Sequence, residues 1–298
     1  MEEYPFVSVI IPVLNDCDRL KICLQALELQ TYPQEFYEII VVDNGSDENI
    51  EQIVKSFPHA SLIFEFQKGS YCARNRGIFM AKGEIIAFTD SDCIPAQNWL
   101  ENGVKKLLSM PNCGLVAGEI KILFKNESNP TAIEVFDSIT NLQQQKYVTT
   151  DHYGATANLF TFKKIFDEVG YFNSHLKSGG DAEWGRRVFA SGYLVIYADN
   201  SCVAHPARNS LEELTKKVIR QTGGSYDRDA DNKHPFIKSL VHLANFKPPL
   251  RSAFRKAFLS DSSRKKTQKI KLFLIIILIY YVSFFEKLRL QLGGKSKW

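Results

Sequence analysis

Between Val7 and Thr89 the chain alternates short apolar runs with segments of helical periodicity. Val7-Ser8-Val9-Ile10-Ile11, Glu38-Ile39-Ile40-Val41-Val42, Ser61-Leu62-Ile63-Phe64 and residues 85–89 read as strands. The longer runs are continuous rather than alternating in polarity, which suits strands buried on both faces. Between them, Leu20, Leu24 and Leu27 share a face of a helix predicted over residues 18–29. Ile50, Ile53, Val54 and Phe57 follow the i, i+3, i+4, i+7 rule, and residues 70–81 can form a further helix. Strand and helix in turn argue for an α/β fold, a mostly parallel sheet flanked by helices.

Three of these strands carry polar residues just past their carboxyl ends: Asn15-Asp16, Asp43-Asn44-Gly45-Ser46 and Asp90-Ser91-Asp92. In open parallel sheets ligands bind beyond that edge, so the three clusters are expected to line one cleft. Asp-Asn-Gly-Ser is also good turn chemistry whatever its function. The strand before Asp90 ends abruptly in two carboxylates with one small residue between them. If extended backbone continues through Asp92, Asp90 and Asp92 point to one face. There they repel unless a cation lies between them, and carboxylate oxygens suit Mg²⁺ or Mn²⁺. The first strand is followed by Pro-Val-Leu-Asn rather than G-x-G-x-x-G, which argues against a nicotinamide or flavin dehydrogenase. Walker A, G-x-S-x-G and H-E-x-x-H patterns are also missing.

Farther on, Cys113–Gly118 and Tyr193–Tyr197 read as strands and Phe162–Val169 as a helix, while residues 125–153 are polar with amphipathic pieces. Ser178-Gly179-Gly180-Asp181-Ala182-Glu183-Trp184-Gly185-Arg186-Arg187 opens what reads as another helix. Its glycines permit close approach of a ligand, and its carboxylates are favoured by the helix dipole whatever else they do. The six scattered cysteines, with no C-x-x-C pair, are expected to be reduced thiols in a cytoplasmic protein. The acidic start, Met1-Glu2-Glu3-Tyr4, does not read as a signal peptide.

Charge divides the chain. Residues 251–298 hold twelve Lys/Arg against two Asp/Glu, a charge of +10, so within a total of +4 the remaining 250 residues carry −6. An acidic body argues against a nucleic-acid groove, and a basic tail suits an anionic surface. In that tail Phe236, Ile237, Leu240, Val241 and Ala244 form a helical stripe, and Phe254 and Phe258 share a face. Leu272–Phe285 then runs fourteen residues without a charge, with basic residues on either side. A span needs about 20 apolar residues, so attachment to an anionic leaflet is expected, peripheral or monotopic through residues 251–290 on the cytoplasmic face of a membrane.

The ordered set V-S-V-I-I-P-V-L-N, I-I-V-V-D-N-G-S, A-R-N-R-G and A-F-T-D-S-D resembles family-2 glycosyltransferases of the GT-A fold, and the resemblance continues to about residue 225. It implies an enzyme of hexosyltransferase type that uses a nucleotide-diphospho-sugar donor and a divalent metal, with inversion. It places Pro12, Asn15, Asp43, Ser46, Arg74, Asn75 and Asp90 on the donor, and Asp92 and His205 on the metal or diphosphate. Residues 178–187 resemble the family's G-E-D-x-D-L-x-x-R element, which makes Asp181 the catalytic base. Gly180, Glu183 and Trp184 would then face the acceptor, although Trp184 fits a core equally well. The chemistry needs such a base, because a hydroxyl is a poor nucleophile until it loses its proton. The organisation implied is a catalytic domain over residues 1–225, with a nucleotide-sugar half to residue 110, and a helical membrane-associating tail over residues 226–298. The acceptor expected is a glycan or a lipid-linked sugar. Two rivals are a nucleotidyltransferase, which would want a Gly-rich basic loop after the first strand, and a non-catalytic sugar-nucleotide binding protein.

Overall fold

The computed structural model describes residues 4–229, 246–259 and 265–297; the stripe expected over residues 236–244 lies outside the described residues. The chain forms two compact units. The first comprises residues 1–122, 142–175 and 180–206, and the second residues 123–141, 176–179 and 207–298. The helix Leu211–Asp229 belongs to the second unit.

The first unit is built on one eight-stranded sheet. Its strands are β1 (Val7–Val13), β2 (Tyr37–Asp43), β3 (Ala60–Phe64), β4 (Ile85–Thr89), β5 (Ile94–Pro95), β6 (Cys113–Leu123), β7 (Asn158–Phe162) and β8 (Leu194–Pro206). They lie in the order β3-β2-β1-β4-β7-β6-β8-β5. The block β3-β2-β1-β4 is parallel, as expected, with Val13 opposite Asp43 and Ile10 opposite Phe88. Past β4 the sheet is mixed, since β7 runs antiparallel to both β4 and β6, and β5 to β8. Helices α1 (Cys17–Glu28), α2 (Ile50–Val54), α3 (Ser70–Met80) and α4 (Trp99–Leu108) follow the strands in the alternation read from the sequence. Leu20, Cys23, Leu24 and Leu27 of α1 are fully buried. Each of the three leucines contributes about 1.5–3 kcal/mol by leaving water. In α3, a Cβ on Gly77 would stand 2.5 Å from Ile10 Cγ2 of β1, so the glycine of A-R-N-R-G lets the helix lie close on the sheet.

Two expectations are corrected here. Extended backbone does not continue through Asp92: β4 stops at Thr89, and the Cys93 N–H returns to the Asp90 carbonyl at 3.1 Å, closing a turn. The late strand runs on to Pro206, so His205 lies inside β8 rather than beyond a strand. The polar stretch 125–153 contributes α5 (Ala132–Thr140) and α6 (Gln144–Thr149); α7 (Lys164–Val169) and α8 (Gly180–Ala190) come next. All six cysteines are free thiols, and Cys23, Cys72, Cys93 and Cys113 are buried.

The second unit is helical. It contains α5, α9 (Leu211–Asp229), α10 (Leu250–Phe254), a π-helical turn at Arg255–Leu259 and α11 (Lys266–Gln291). Thr131 and Glu134 form a reciprocal capping box at the start of α5. Ala132, Val135 and Phe136 of α5 pack with Leu214 of α9, Ala257, and Leu272 and Ile279 of α11. Asp137, fully buried, accepts from Lys217 Nζ at 2.8 Å and lies 3.4 Å from an Arg208 Nη1. Burial works to raise the Asp137 carboxyl, but Lys217 and Arg208 outweigh it and hold the group below the ordinary carboxylate value.

Candidate active site

The carboxyl ends of β1, β2 and β4 gather the three polar clusters at one edge of the sheet. Asn15 takes a left-handed conformation at φ 50°. Its N–H donates to Ser46 Oγ at 2.9 Å, and its Oδ1 accepts from the Asp47 N–H at 2.7 Å. Asp43 Oδ1 in turn accepts from the Ser46 N–H at 2.9 Å. Asn15, Asp43 and Ser46 thus lock the ends of two strands into one rigid rim, with Pro12 half-buried just before it. Asn44 extends the rim by donating to the Glu65 and Gln67 carbonyls, both at 2.8 Å, and accepting from the Gly69 N–H at 2.7 Å.

Around the turn after β4 the charges sort into pairs. Arg74 of α3 is buried and donates through Nη2 to Asp90 Oδ1 at 2.5 Å. Its Nε is buried without a hydrogen-bond partner. Asp92 Oδ2 lies 3.4 Å from His205 Nε2 and 3.8 Å from Arg19 Nη1. Asp16 connects this group, accepting from Ser91 Oγ at 2.9 Å and from Arg19 Nε at 2.6 Å. Burial pushes the Asp92 carboxyl up, against the opposing pull of His205 and Arg19.

The His205–Asp92 pair tests whether a metal fits. His205 Nδ1 stands 2.8 Å from the Pro206 carbonyl. A carbonyl only accepts, so Nδ1 donates to it and Nε2 is the ring atom that faces the Asp92 oxygen. A cation shared between Nε2 and Oδ2, a proton or a metal ion, suits that approach. Two neighbouring ligands of one Mg²⁺-sized ion would be about 3 Å apart, near the observed separation. This is the arrangement of a metal-ligating histidine whose other nitrogen is held by a carbonyl. Among the described residues no three His, Cys, Asp or Glu side chains already form a metal group, so these residues fit a metal completed by ligand oxygens.

Asp181 stands in the first turn of α8, and its Oδ1 accepts from the Tyr71 hydroxyl at 3.2 Å. It forms no ion pair among the described residues, although Arg74 acts on it at longer range. Crowding by protein pushes the Asp181 carboxyl up, against the Ala182 N–H, Arg74 and Tyr71, which favour its charged form; Asp90 adds to the upward push. The result is a half-buried carboxylate that is more basic than usual. Tyr147 and Tyr153, stacked with ring centroids 4.7 Å apart, also feel its charge. A Cβ at Gly185, one helical turn after Asp181, would meet Tyr153 at 2.6 Å, so the tyrosine pair packs beside the same face of α8.

Four of the expected site residues are engaged within the protein. Trp184 is fully buried, stacks on Phe166 at 4.7 Å and donates from Nε1 to the Gly170 carbonyl at 2.9 Å; it is core and offers no floor to a ligand. Glu183 is paired through both oxygens with Arg187, at 2.7 and 3.1 Å, which turns it along the helix. The Asn75 amide is taken up by the backbone of Phe172, donating at 2.8 Å and accepting at 3.1 Å, so it ties α3 to the loop before α8. A Cβ on Gly180 would lie 2.8 Å from the Tyr71 ring, so that glycine makes room for the tyrosine. Tyr71 and Arg19 were not singled out from the sequence. A tyrosine within a predicted helix reads as core, and only its hydroxyl partner marks it.

Comparison with known proteins agrees with the fold. The family model described as Glycosyl transferase family 2 matches residues 8–170. Glycosyltransferase AglE of Haloferax volcanii is 42% identical over 221 residues, covering 72% of this chain and 71% of the relative. A Methanococcus voltae dolichyl N-acetyl-alpha-D-glucosaminyl phosphate 3-beta-D-2,3-diacetamido-2,3-dideoxy-beta-D-glucuronosyltransferase is 22% identical, covering 72% of this chain and 71% of the relative. The chain spans 46% of the length of the Mycobacterium tuberculosis relatives it matches. Among solved structures, the Pyrobaculum calidifontis mannosyltransferase PcManGT, in complex with GDP-Man and Mn²⁺, superposes with a TM-score of 0.62 at 20% identity, covering 98% of this chain and 85% of that one.

Proposed function

This chain belongs to glycosyl transferase family 2, and from that premise we propose that it moves a sugar from a nucleotide-diphospho-sugar to an acceptor hydroxyl, with inversion at the anomeric carbon and Asp181 as the general base. The protein is a glycosyltransferase of the EC 2.4 type with a GT-A fold, and it acts in glycan synthesis. The observation that carries the finer reading is the Asp181 carboxylate. It is raised above the usual carboxylate range, hydrogen-bonded by Tyr71, and left without an ion pair among the described residues, in the same unit as the Asp90 and Asp92 turn.

In the reaction, the acceptor oxygen forms its bond to the anomeric carbon while the bond from that carbon to the diphosphate oxygen breaks. The bonding electrons leave with the diphosphate, and the acceptor's proton passes to an Asp181 oxygen. A raised carboxylate is better matched to this task than an ordinary one. Arg74 holds Asp90 in place, and the rim of Asn15, Asp43 and Ser46 presents the donor's nucleoside portion. Asp92 and His205 would hold the divalent metal, which when bound neutralises the leaving diphosphate. The Mn²⁺ and GDP-mannose bound by the Pyrobaculum mannosyltransferase support a donor and metal of these classes.

The acceptor is a glycan, and the name of the Methanococcus relative supports a lipid-linked one. Anchoring through the basic, apolar tail to the cytoplasmic face of a membrane fits such an acceptor. Among the described residues one helix, α11, is long and apolar enough to cross a membrane. The experiment begins with thermal stabilisation by UDP, GDP, CDP and TDP, each with Mn²⁺, to find the donor nucleotide. Turnover of the matching sugar nucleotides by wild type and Asp181→Asn follows. Retained nucleotide binding with lost release of nucleoside diphosphate is expected, whereas full activity of the variant would remove Asp181 from the reaction.

A further inference from the structure

Helix α11 has two apolar faces with different fates. Leu272, Ile279 and Leu290 are buried. The first two pack with Leu214 of α9 and with Ala132, Val135 and Phe136 of α5. Thr222 of α9 and Ser283 of α11 share a hydrogen bond at 3.0 Å, and Gln268 donates to Asn129 Oδ1 at 3.0 Å. The other face is open. Ile270, Leu274, Leu278, Phe285 and Leu292 are exposed, with Leu274 at 59% and Phe285 at 55%. At 3.6 residues per turn these five positions and Tyr281 fall within an arc of about 80°. Lys266 stands just outside one margin of that arc, and Lys271 and Arg289 just outside the other. Leu250, Phe254 and Leu259, exposed on α10 and the π-helical turn, add apolar surface next to the exposed cations Arg251, Arg255 and Lys256.

A helix that crossed a bilayer would need lipid on every side. Here one side is occupied by α9, whose surface carries Glu212, Glu213, Lys216 and Arg220. The bilayer would have to strip α9 away or accept its charges into hydrocarbon, where they are disfavoured. By length and composition the whole helix, Lys266–Gln291, could cross a membrane; what opposes a span is its occupied side. Glu286, directly after the uncharged stretch Leu272–Phe285, is buried against its own helix by ion pairing with Arg289 at 2.7 Å.

We infer that α11 lies in the plane of an anionic lipid leaflet, with Ile270, Leu274, Leu278, Tyr281 and Phe285 immersed in it, and does not cross the membrane. The inference rests on the reading of the tail as a membrane attachment and adds its face and orientation. Cations at both margins of an apolar stripe match a negatively charged leaflet, with the apolar side chains below the headgroups and the ammonium groups among them. A tail with a charge of +10 would oppose the approach of a second copy of itself.

The test uses the full chain with a C-terminal epitope tag. Flotation is measured on vesicles of phosphatidylcholine alone and of phosphatidylcholine mixed with phosphatidylglycerol. The tag's protease sensitivity is measured in right-side-out spheroplasts of a bacterial host. Binding is expected to the phosphatidylglycerol vesicles, weakening as salt rises. Leu274→Glu with Leu278→Glu should lower it at least about tenfold with an unchanged melting temperature, since both leucines are exposed. The tag should survive until the spheroplasts are lysed. Flotation on neither vesicle would overturn the inference together with the membrane reading. Cleavage of the tag in intact spheroplasts would overturn the flat orientation and leave the membrane reading standing. A double variant that floats normally but turns a dimer into a monomer would show that a second copy covers this face, overturning the inference.

Discussion

Two aspartates, one in each unit, sit in protein-crowded surroundings and have opposite chemistry. Asp137 in the helical unit is fully buried and meets two cations, Lys217 and Arg208, which hold its carboxyl below the ordinary value. Asp181 in the sheet unit is half-buried, meets a neutral tyrosine hydroxyl and has its carboxyl pushed up. Pairing makes a carboxylate a fixed charge that supports its surroundings. Leaving one unpaired where water is scarce makes it a base. Burial pushes both carboxyls up; the partners separate them, since two cations outweigh burial at Asp137 and no paired cation does so at Asp181.

The largest effect that could break this contrast is on turnover. Asp181→Asn keeps the shape and removes the base, so turnover should fall about 10²–10⁴-fold. The same variant should melt higher than wild type at neutral pH. A carboxyl whose folded value is raised contributes stability fully only below its unfolded value of about 3.9, and that contribution is lost as pH rises through the folded value. Removing the charge therefore relieves a cost at neutral pH, and a lower melting temperature would contradict the assignment.

Asp137→Ala should act in the other direction. It leaves Lys217 buried beside Arg208 without a counter-charge, a change worth about 3–5 kcal/mol, measured by denaturant unfolding at neutral pH. For wild type the sign is again fixed by direction. The lowered Asp137 value gives stability that is present above about pH 3.9 and lost as pH falls through the folded value.

A smaller effect concerns the metal. His205→Ala removes the Nε2 donor, so the Mn²⁺ concentration needed for half-maximal stabilisation by nucleoside diphosphate should rise by at least the about 10–100-fold that losing an outer-shell partner costs. Titration of the melting temperature with Mn²⁺ measures it, and an unchanged midpoint would remove His205 from the metal. The smallest effect sharpens the contrast at Tyr71. Tyr71→Phe deletes one hydrogen bond to the charged form of Asp181, worth about 0.5–1.5 kcal/mol. The acid limb of the turnover profile should then move to higher pH by up to about one unit, with little change in KM. A role in packing alone would leave that limb where it was.

Much of the sheet unit was legible in the sequence for a local reason. Continuous apolar runs such as Ile85–Thr89, separated by helical stripes, admit few arrangements other than parallel strands under helices. The polar residues that end those strands then come together by topology, which is why Asn15, Asp43, Asp90 and Asp92 could be named before any coordinates. Roles that depend on which way a side chain turns were not legible. Glu183 and Asp181 are two residues apart in one helical turn; Glu183 meets Arg187 by local i,i+4 spacing, whereas only packing brings Tyr71 to Asp181. Trp184 and Asn75 occupy the expected motifs, yet their partners, Phe166 and the Phe172 backbone, come from a distant segment.

The sequence by itself determined the order of strands and helices, the carboxylates at the sheet edge and the basic, apolar tail, because all of these follow from residue type and near-neighbour spacing. Only the tertiary structure decided which carboxylate is paired, which aromatic is core and which face of α11 remains open. Those properties are set by contacts between segments far apart in the chain, and by the water those contacts exclude.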